Sequence, residues 1–171
     1  MALRSDYLLL PANRAFIAFS LVAAFLLNLP PWGTLQWVPD FLALVLVFWN
    51  IHQPRKVGIG IAFLFGLLMD VHEATLLGEH ALAYSLLSYG GLLLQRRVPW
   101  FGLAGRMLHV LALFVLVQLA MHLMRMLIGG GNPGWSVLLG ALTTTMCWPL
   151  AELLLFAPQR RAVERDENRP L

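Results

Sequence analysis

Charges along the chain are sparse, and they divide it into six long apolar stretches separated by short polar breaks. The stretches run over about 15–32, 38–51, 57–71, 79–94, 103–128 and 135–156. A helix that crosses a bilayer needs about 20 predominantly apolar residues, so each stretch predicts one membrane span. Proline supplies several of the breaks: Pro30-Pro31 closes the first stretch, and Gln53-Pro54-Arg55-Lys56 makes a tight turn between the second and third, because proline has no N–H and biases its neighbour away from helix. Gly129-Gly130-Gly131-Asn132-Pro133-Gly134 separates the fifth from the sixth. The polar tail from residue 157 to 171 follows. The first stretch is expected to stay in place as a span, because Pro30-Pro31-Trp32 follows it where a signal peptide would carry a small-x-small cleavage site. No period of 20–50 residues repeats, which excludes a solenoid.

Composition strengthens this reading. Of the 171 residues, 59% are apolar and 12% charged, with a mean hydropathy of +0.72. A soluble domain carries roughly 25% charge, so neither a water-exposed surface nor a disordered chain fits. The expectation is a single all-α polytopic membrane domain. The second and third stretches are short, and a re-entrant hairpin with its tip at Pro54-Arg55-Lys56 is the alternative. It would leave two cations in hydrocarbon at about 2.5–3.5 kcal/mol each, and two short complete spans cost less.

The loop charges orient the six spans. Eleven of the twelve Lys and Arg residues fall in the N-terminal tail (Arg4, Arg14), the second-to-third turn (Arg55, Lys56), the fourth-to-fifth connection (Arg96, Arg97, Arg106) and the C-terminal tail (Arg160, Arg161, Arg165, Arg169). All lie on one side of a six-span topology, while the opposite loops hold Asp40, Glu73 and Glu79. Cytoplasmic loops are enriched in Lys and Arg, so both termini are expected in the cytoplasm. Tryptophans agree: Trp32, Trp37 and Trp135 fall at the outer edge, Trp49 and Trp100 at the inner edge, and Trp148 inside a span.

Ionisable groups inside apolar spans demand partners. Arg125, the twelfth cation, sits near the outer end of the fifth span, with His122 one turn before it. Asp40 and Asp70 both lie fifteen residues from Arg55, so a hairpin turning there sets them at similar depth near the outer face. Arg125 is expected to be neutralised by Asp70, with Asp40 as second or alternative partner. Asp40 also follows Val38-Pro39 at a helix start, where a carboxylate caps free N–H groups. Glu152 lies a turn from the inner end of the sixth span, within reach of a cytoplasmic arginine. Small residues recur every four positions at Gly58, Ala62 and Gly66, and again at Ser136, Gly140 and Thr144, as helix-packing ridges do. The fifth span is rich in Leu and Val, which suits lipid or an apolar partner helix.

Chemistry-bearing motifs are lacking. His72-Glu73-Ala74-Thr75-Leu76 begins like HExxH, but leucine stands where the second histidine belongs, and His80 is out of register. No GxSxG elbow or glycine-rich phosphate loop is present. Gly66-Leu67-Leu68-Met69-Asp70 lacks the glycine beside aspartate of intramembrane aspartyl proteases. Cys147 is the sole cysteine and can form neither an internal disulfide nor a thiolate cage. His72, Glu73, Glu79 and His80 read better as a polar loop than as a metal site. No catalytic residue, metal or cofactor is expected, and nothing points to nucleic acid.

Several segments taken together are specific. Pro39-Asp40 opens a Leu/Val-rich span, Pro54-Arg55-Lys56-Val57-Gly58 turns into the next, and Ala62–Asp70 is followed by Leu77-Gly78-Glu79-His80-Ala81-Leu82. This order and spacing resembles the rod-shape-determining membrane protein family MreD, over roughly residues 37–97. Val71–Leu76 departs from the small, Ser/Gly-rich linker of that family. The resemblance implies a six-helix bundle similar to the substrate-binding components of vitamin (energy-coupling factor) transporters, in the bacterial inner membrane. It also implies a non-enzymatic subunit of the elongation machinery of cell-wall synthesis, acting with an MreC-like scaffold. Indirect partners would be a RodA-type transglycosylase, its transpeptidase and the MreB filament, with membrane lipid around the bundle. Asp40, Asp70, Arg125, Gly78 and His80 are the structural or partner-binding candidates. The competing reading from the fold similarity is a small-solute-binding subunit of a transporter, for which the spans supply few polar groups: Asn28, Tyr84, Ser85, Ser88, Tyr89, Gln118 and Thr143–Thr145.

Topology is directly testable. Reporter fusions at Ser5, Pro54, Trp100 and the C-terminal tail should read cytoplasmic, and fusions at Thr34, Thr75 and Asn132 external. An external signal at Pro54 would eliminate six complete spans.

Overall fold

The computed structural model describes residues 8–9, 12–30, 37–128 and 136–161. Trp32, Trp135, the glycine-rich break at 129–134, Arg4 and the tail beyond Arg161 lie outside the described residues, as does the side chain of Ser136. The described chain forms helices α1 (Arg14–Asn28), α2 (Phe41–His52), α3 (Ile59–Glu73), α4 (Glu79–Leu94), α5 (Leu103–Ile128), α6 (Ser136–Met146) and α7 (Trp148–Phe156). Two-residue strands β1 (Leu8–Leu9) and β2 (Arg160–Arg161) pair antiparallel. Two helical stretches, Leu103–Ile128 and Leu138–Gln159, are long and apolar enough to cross a bilayer.

The last apolar stretch is not one straight helix. Pro149 cannot donate to the carbonyl four residues back, so the ladder breaks at Cys147. The Cys147 amide is shared between the carbonyls of Thr143 and Thr144 at 3.2 Å each, and α7 restarts with Ala151 N donating to Cys147 O at 3.0 Å. The Thr144 and Thr145 hydroxyls donate within α6 to the Gly140 and Ala141 carbonyls at 2.7 and 2.8 Å.

Helix α2 is the centre of the bundle. It packs against α1, α4, α6 and α7, and from Leu42 to Ile51 only Val45 is not fully buried. A helix apolar on all sides has no solvent face to show, which explains why its sequence is a nearly continuous run of Leu, Val and Phe. Trp49, expected at the membrane edge, is instead wholly buried: its indole N–H donates to Ser20 Oγ at 2.9 Å, and its ring meets Phe16 and Phe48 edge-on. Phe48 also packs on Trp148 and Phe156 at centroid distances of 5.8 and 5.0 Å, tying α2 to α7.

Helix α3 lies along α4, and α5 packs on α4 and α6. The α3–α4 approach depends on Gly66, where an added Cβ would fall 2.3 Å from Ala81 Cα. Ala62 is buried on the same ridge, whereas Gly58 and Gly60 face open space. Only Val110, Phe114 and Val117 of α5 are buried, and Leu108, Leu116, Leu119, Leu123 and Leu127 form an uncovered leucine face. An apolar face of that size is characteristic of a surface that meets lipid or another protein.

Gly66→Ala should lower stability by about 1–3 kcal/mol, because the clash is with backbone and the two helices must separate. Gly60→Ala, in open space within a helix, should be neutral or stabilise by up to about 1 kcal/mol. Thermal unfolding of the detergent-solubilised variants checks both; equal effects would mean that α3 and α4 do not approach so closely.

Candidate functional site

The ends of α1, α3 and α5 and the starts of α2 and α4 meet at one end of the bundle, where Asp70 and Asp40 each gather several hydrogen bonds. Asp70 occupies the last turn of α3, where the helix dipole disfavours a carboxylate, and it is 1% exposed. What holds it is the next helix. Asp70 Oδ2 accepts from the amides of Gly78 (2.8 Å) and Ala81 (3.3 Å). Oδ1 accepts from the His80 amide (2.7 Å) and the Thr75 hydroxyl (3.3 Å), and lies 2.9 Å from His80 Nδ1. The first turn of α4 has unsatisfied N–H groups and no side-chain cap of its own. A carboxylate from α3 therefore caps α4 from outside. The geometry requires the chain to reverse over Ala74–Gly78, with Ala74 at φ 50° and Gly78 at φ 104°, and the second of these is readily adopted only by glycine. Asp70, Gly78 and His80 thus form one device. His80 Nε2 also faces Glu73 at 3.5 Å, and its ring packs on Tyr84.

Asp40 is the second hub. It caps α2, accepting from Ala43 N at 2.9 Å, and it also accepts from Asn28 Nδ2 at 2.8 Å and the Tyr84 hydroxyl at 2.9 Å. Asn28 Oδ1 accepts from Phe41 N at 3.1 Å, and Thr144 Oγ1 accepts from Asp40 N at 3.0 Å. One carboxylate and its backbone thereby join α1, α2, α4 and α6. Asn28 and Tyr84 read in the sequence as scattered polar groups within apolar runs, and Thr144 as part of a small-residue ridge and a threonine run.

Arg125 does not pair with Asp70 or Asp40. Its guanidinium bonds Glu79, at the N-terminus of α4. The reason is twofold: α5 packs directly beside α4, and both aspartates already have their oxygens occupied by donors. Glu152 meets Arg106, whose Nη1 lies 3.1 and 3.2 Å from its two oxygens, and it also accepts from the Trp148 indole at 2.8 Å. His72 of the partial HExxH motif lies 3.0 Å from the Leu29 carbonyl. Among the described residues no three His, Cys, Asp or Glu side chains group as metal ligands.

A cavity of about 180 Å³ lies between α2, α4 and α5. Asp40, Glu79, His80, Tyr84, Gln118 and Arg125 line its polar part, and Leu87, Phe114 and Val117 its apolar part. Gln118 Oε1 has no hydrogen-bond partner among the described residues. The carboxylates here are spent on amides, a phenol and a guanidinium, so the arrangement locks helix ends together rather than presenting a nucleophile with its base.

Fold and site define an all-helical protein with lipid-compatible apolar helices, joined by buried polar contacts at one end. The family model described as rod shape-determining protein MreD matches residues 12–157. The rod shape-determining protein MreD of Haemophilus influenzae is 34% identical over 146 residues, covering 82% of this chain and 88% of that one. The chain belongs to the MreD family of rod-shape-determining membrane proteins. No solved structure matches it.

Asp70→Asn should lower stability by about 2–4 kcal/mol, since an amide nitrogen would face N–H donors in a buried site. Glu79→Gln and Arg125→Gln, at a partly exposed pair, should each cost about 1 kcal/mol and combine less than additively, whereas Asp70→Asn and Arg125→Gln should add. Unfolding of the three single and two double variants in detergent measures both cycles; coupling between Asp70 and Arg125 instead would contradict this pairing.

Proposed function

We propose that the protein is a non-enzymatic, multi-pass inner-membrane subunit of the rod (elongation) machinery, supporting lateral peptidoglycan synthesis by binding an MreC-like scaffold. Through that scaffold it acts on a RodA-type transglycosylase, its transpeptidase and the MreB filament. The observation that carries this reading is family membership over nearly the whole helical chain. In this reading α1 to α5 are five spans and α6 with α7 the sixth, both termini being cytoplasmic. The pairing of Leu8–Leu9 with Arg160–Arg161 supports it, because it ties the two ends of the chain together. So does the bond from Lys56 Nζ to the Ala12 carbonyl, which joins the cationic turn to the N-terminal segment.

Binding, rather than turnover, accounts for the geometry. Saturated polar hubs make a rigid end from which the α3–α4 loop projects Leu76 and Leu77, both well exposed. Asp40, Asp70, Gly78, His80 and Arg125 act here by fixing that surface for a partner. The cavity beside Gln118 favours a second reading, a small-solute-binding subunit of a transporter in a fold like that of the vitamin transporters.

Affinity purification from native membranes separates the two. An MreC-like scaffold should co-purify; an ATPase transport module in its place would establish the second reading. His72→Ala and Glu73→Ala should preserve rod shape, and loss of shape at normal protein level and scaffold binding would restore a catalytic or metal role.

A further inference from the structure

At the opposite end of the bundle, α1 and α3 leave a cleft of about 470 Å³ between them. Its walls are apolar, with Ile17 and Leu21 from α1 and Phe65 from α3. Phe65 meets Phe25 at a centroid distance of 5.9 Å, where the two helices come together. From Arg14 to Val22 the cleft follows α1 for about 12 Å, roughly two helical turns. Its mouth holds Arg14, Arg55 and Lys56, and no carboxylate lines it.

Arg14 and Arg55 are exposed and Lys56 is half-buried, and their surroundings differ from those of the arginines that pair across helices. Arg106 and Arg125 each have a glutamate. Arg14 and Arg55 have no ion pair or side-chain hydrogen bond among the described residues, and the Lys56 ammonium is bonded only to a carbonyl. Two guanidiniums without a carboxylate among the described residues, and an ammonium, at the end of an apolar trough match a ligand with a phosphate at one end and hydrocarbon at the other. Guanidinium groups bind phosphate oxygens bidentately. A free phosphate would leave the apolar walls unused, and a zwitterionic lipid would bring its own cation to the cluster.

We propose that this cleft is a binding site for an anionic glycerophospholipid, its phosphodiester held by Arg14, Arg55 and Lys56 and one acyl chain laid against Ile17, Leu21 and Phe65. Assigning the lipid to the inner leaflet rests on the topology proposed above. Binding itself does not, so reporter fusions and lipid binding fail independently.

Native mass spectrometry of the delipidated full-length protein in detergent, titrated with dioleoylphosphatidylglycerol or dioleoylphosphatidylcholine, tests the proposal. One phosphatidylglycerol should bind saturably, about tenfold more tightly than phosphatidylcholine. Arg14→Gln with Arg55→Gln should abolish that preference, since each cation near an anionic lipid contributes several-fold. Ala18→Trp should plug the cleft and weaken both lipids. Arg96→Gln with Arg97→Gln, cations outside the cleft, should change neither. Equal binding of the two lipids by the unaltered protein, or the same loss from the Arg96/Arg97 pair, would overturn the site. So would an Ala18→Trp protein that keeps both lipids but shifts its oligomeric mass, which would place a second copy in the cleft.

Discussion

A carboxylate among apolar helices is tolerable only when its oxygens are occupied by donors that have no better partner, because hydrocarbon supplies none. The free amides at the start of a helix are such donors. Asp70 and Asp40 exploit them in two ways: Asp40 caps its own helix α2, while Asp70 caps α4 from the end of α3. Each bond satisfies two groups that would otherwise be unpaired. The reversal at Ala74–Gly78, the Gly66–Ala81 contact and the position of Tyr84 all follow from α3 delivering a carboxylate to the mouth of α4.

Around that constraint the remaining charges arrange themselves by proximity. Glu79 opens α4 with its side chain turned toward α5, so Arg125 finds it first. At the other end Arg106 and Glu152 close the α5–α7 seam, with the Trp148 indole on the same carboxylate. Arg14, Arg55 and Lys56, which have no carboxylate partner among the described residues, line a cleft instead of a seam. Among the described residues, the paired arginines thus fasten helices to one another.

The contrast between α2 and α5 follows the same logic. Both are strongly apolar, yet α2 is buried on every side and α5 is largely uncovered. In a water-soluble protein the second would be a liability. In a membrane protein of the MreD family it is a face compatible with lipid tails or an apolar partner helix.

Charge-free length is a local property, so the helical segments and the sorting of cations into alternate breaks were legible in the sequence. Asp40 as a cap was legible too, because it stands at a helix start, and the place of Glu152 near a helix end put it within reach of an arginine without saying which one. The kink at Cys147 follows from Pro149, but an apolar run of that length masks it. The partner of Arg125 was not readable. Spacing from the Arg55 turn gives Asp40 and Asp70 an expected depth, and depth is one coordinate of three. Which helix stands beside α5, and which carboxylate is already saturated by amides, are decided only when all the helices pack. Sequence by itself determined where the chain is helical; the tertiary structure alone decided which groups touch, because lateral neighbours in a bundle are chosen by side-chain packing across helices and not by distance along the chain.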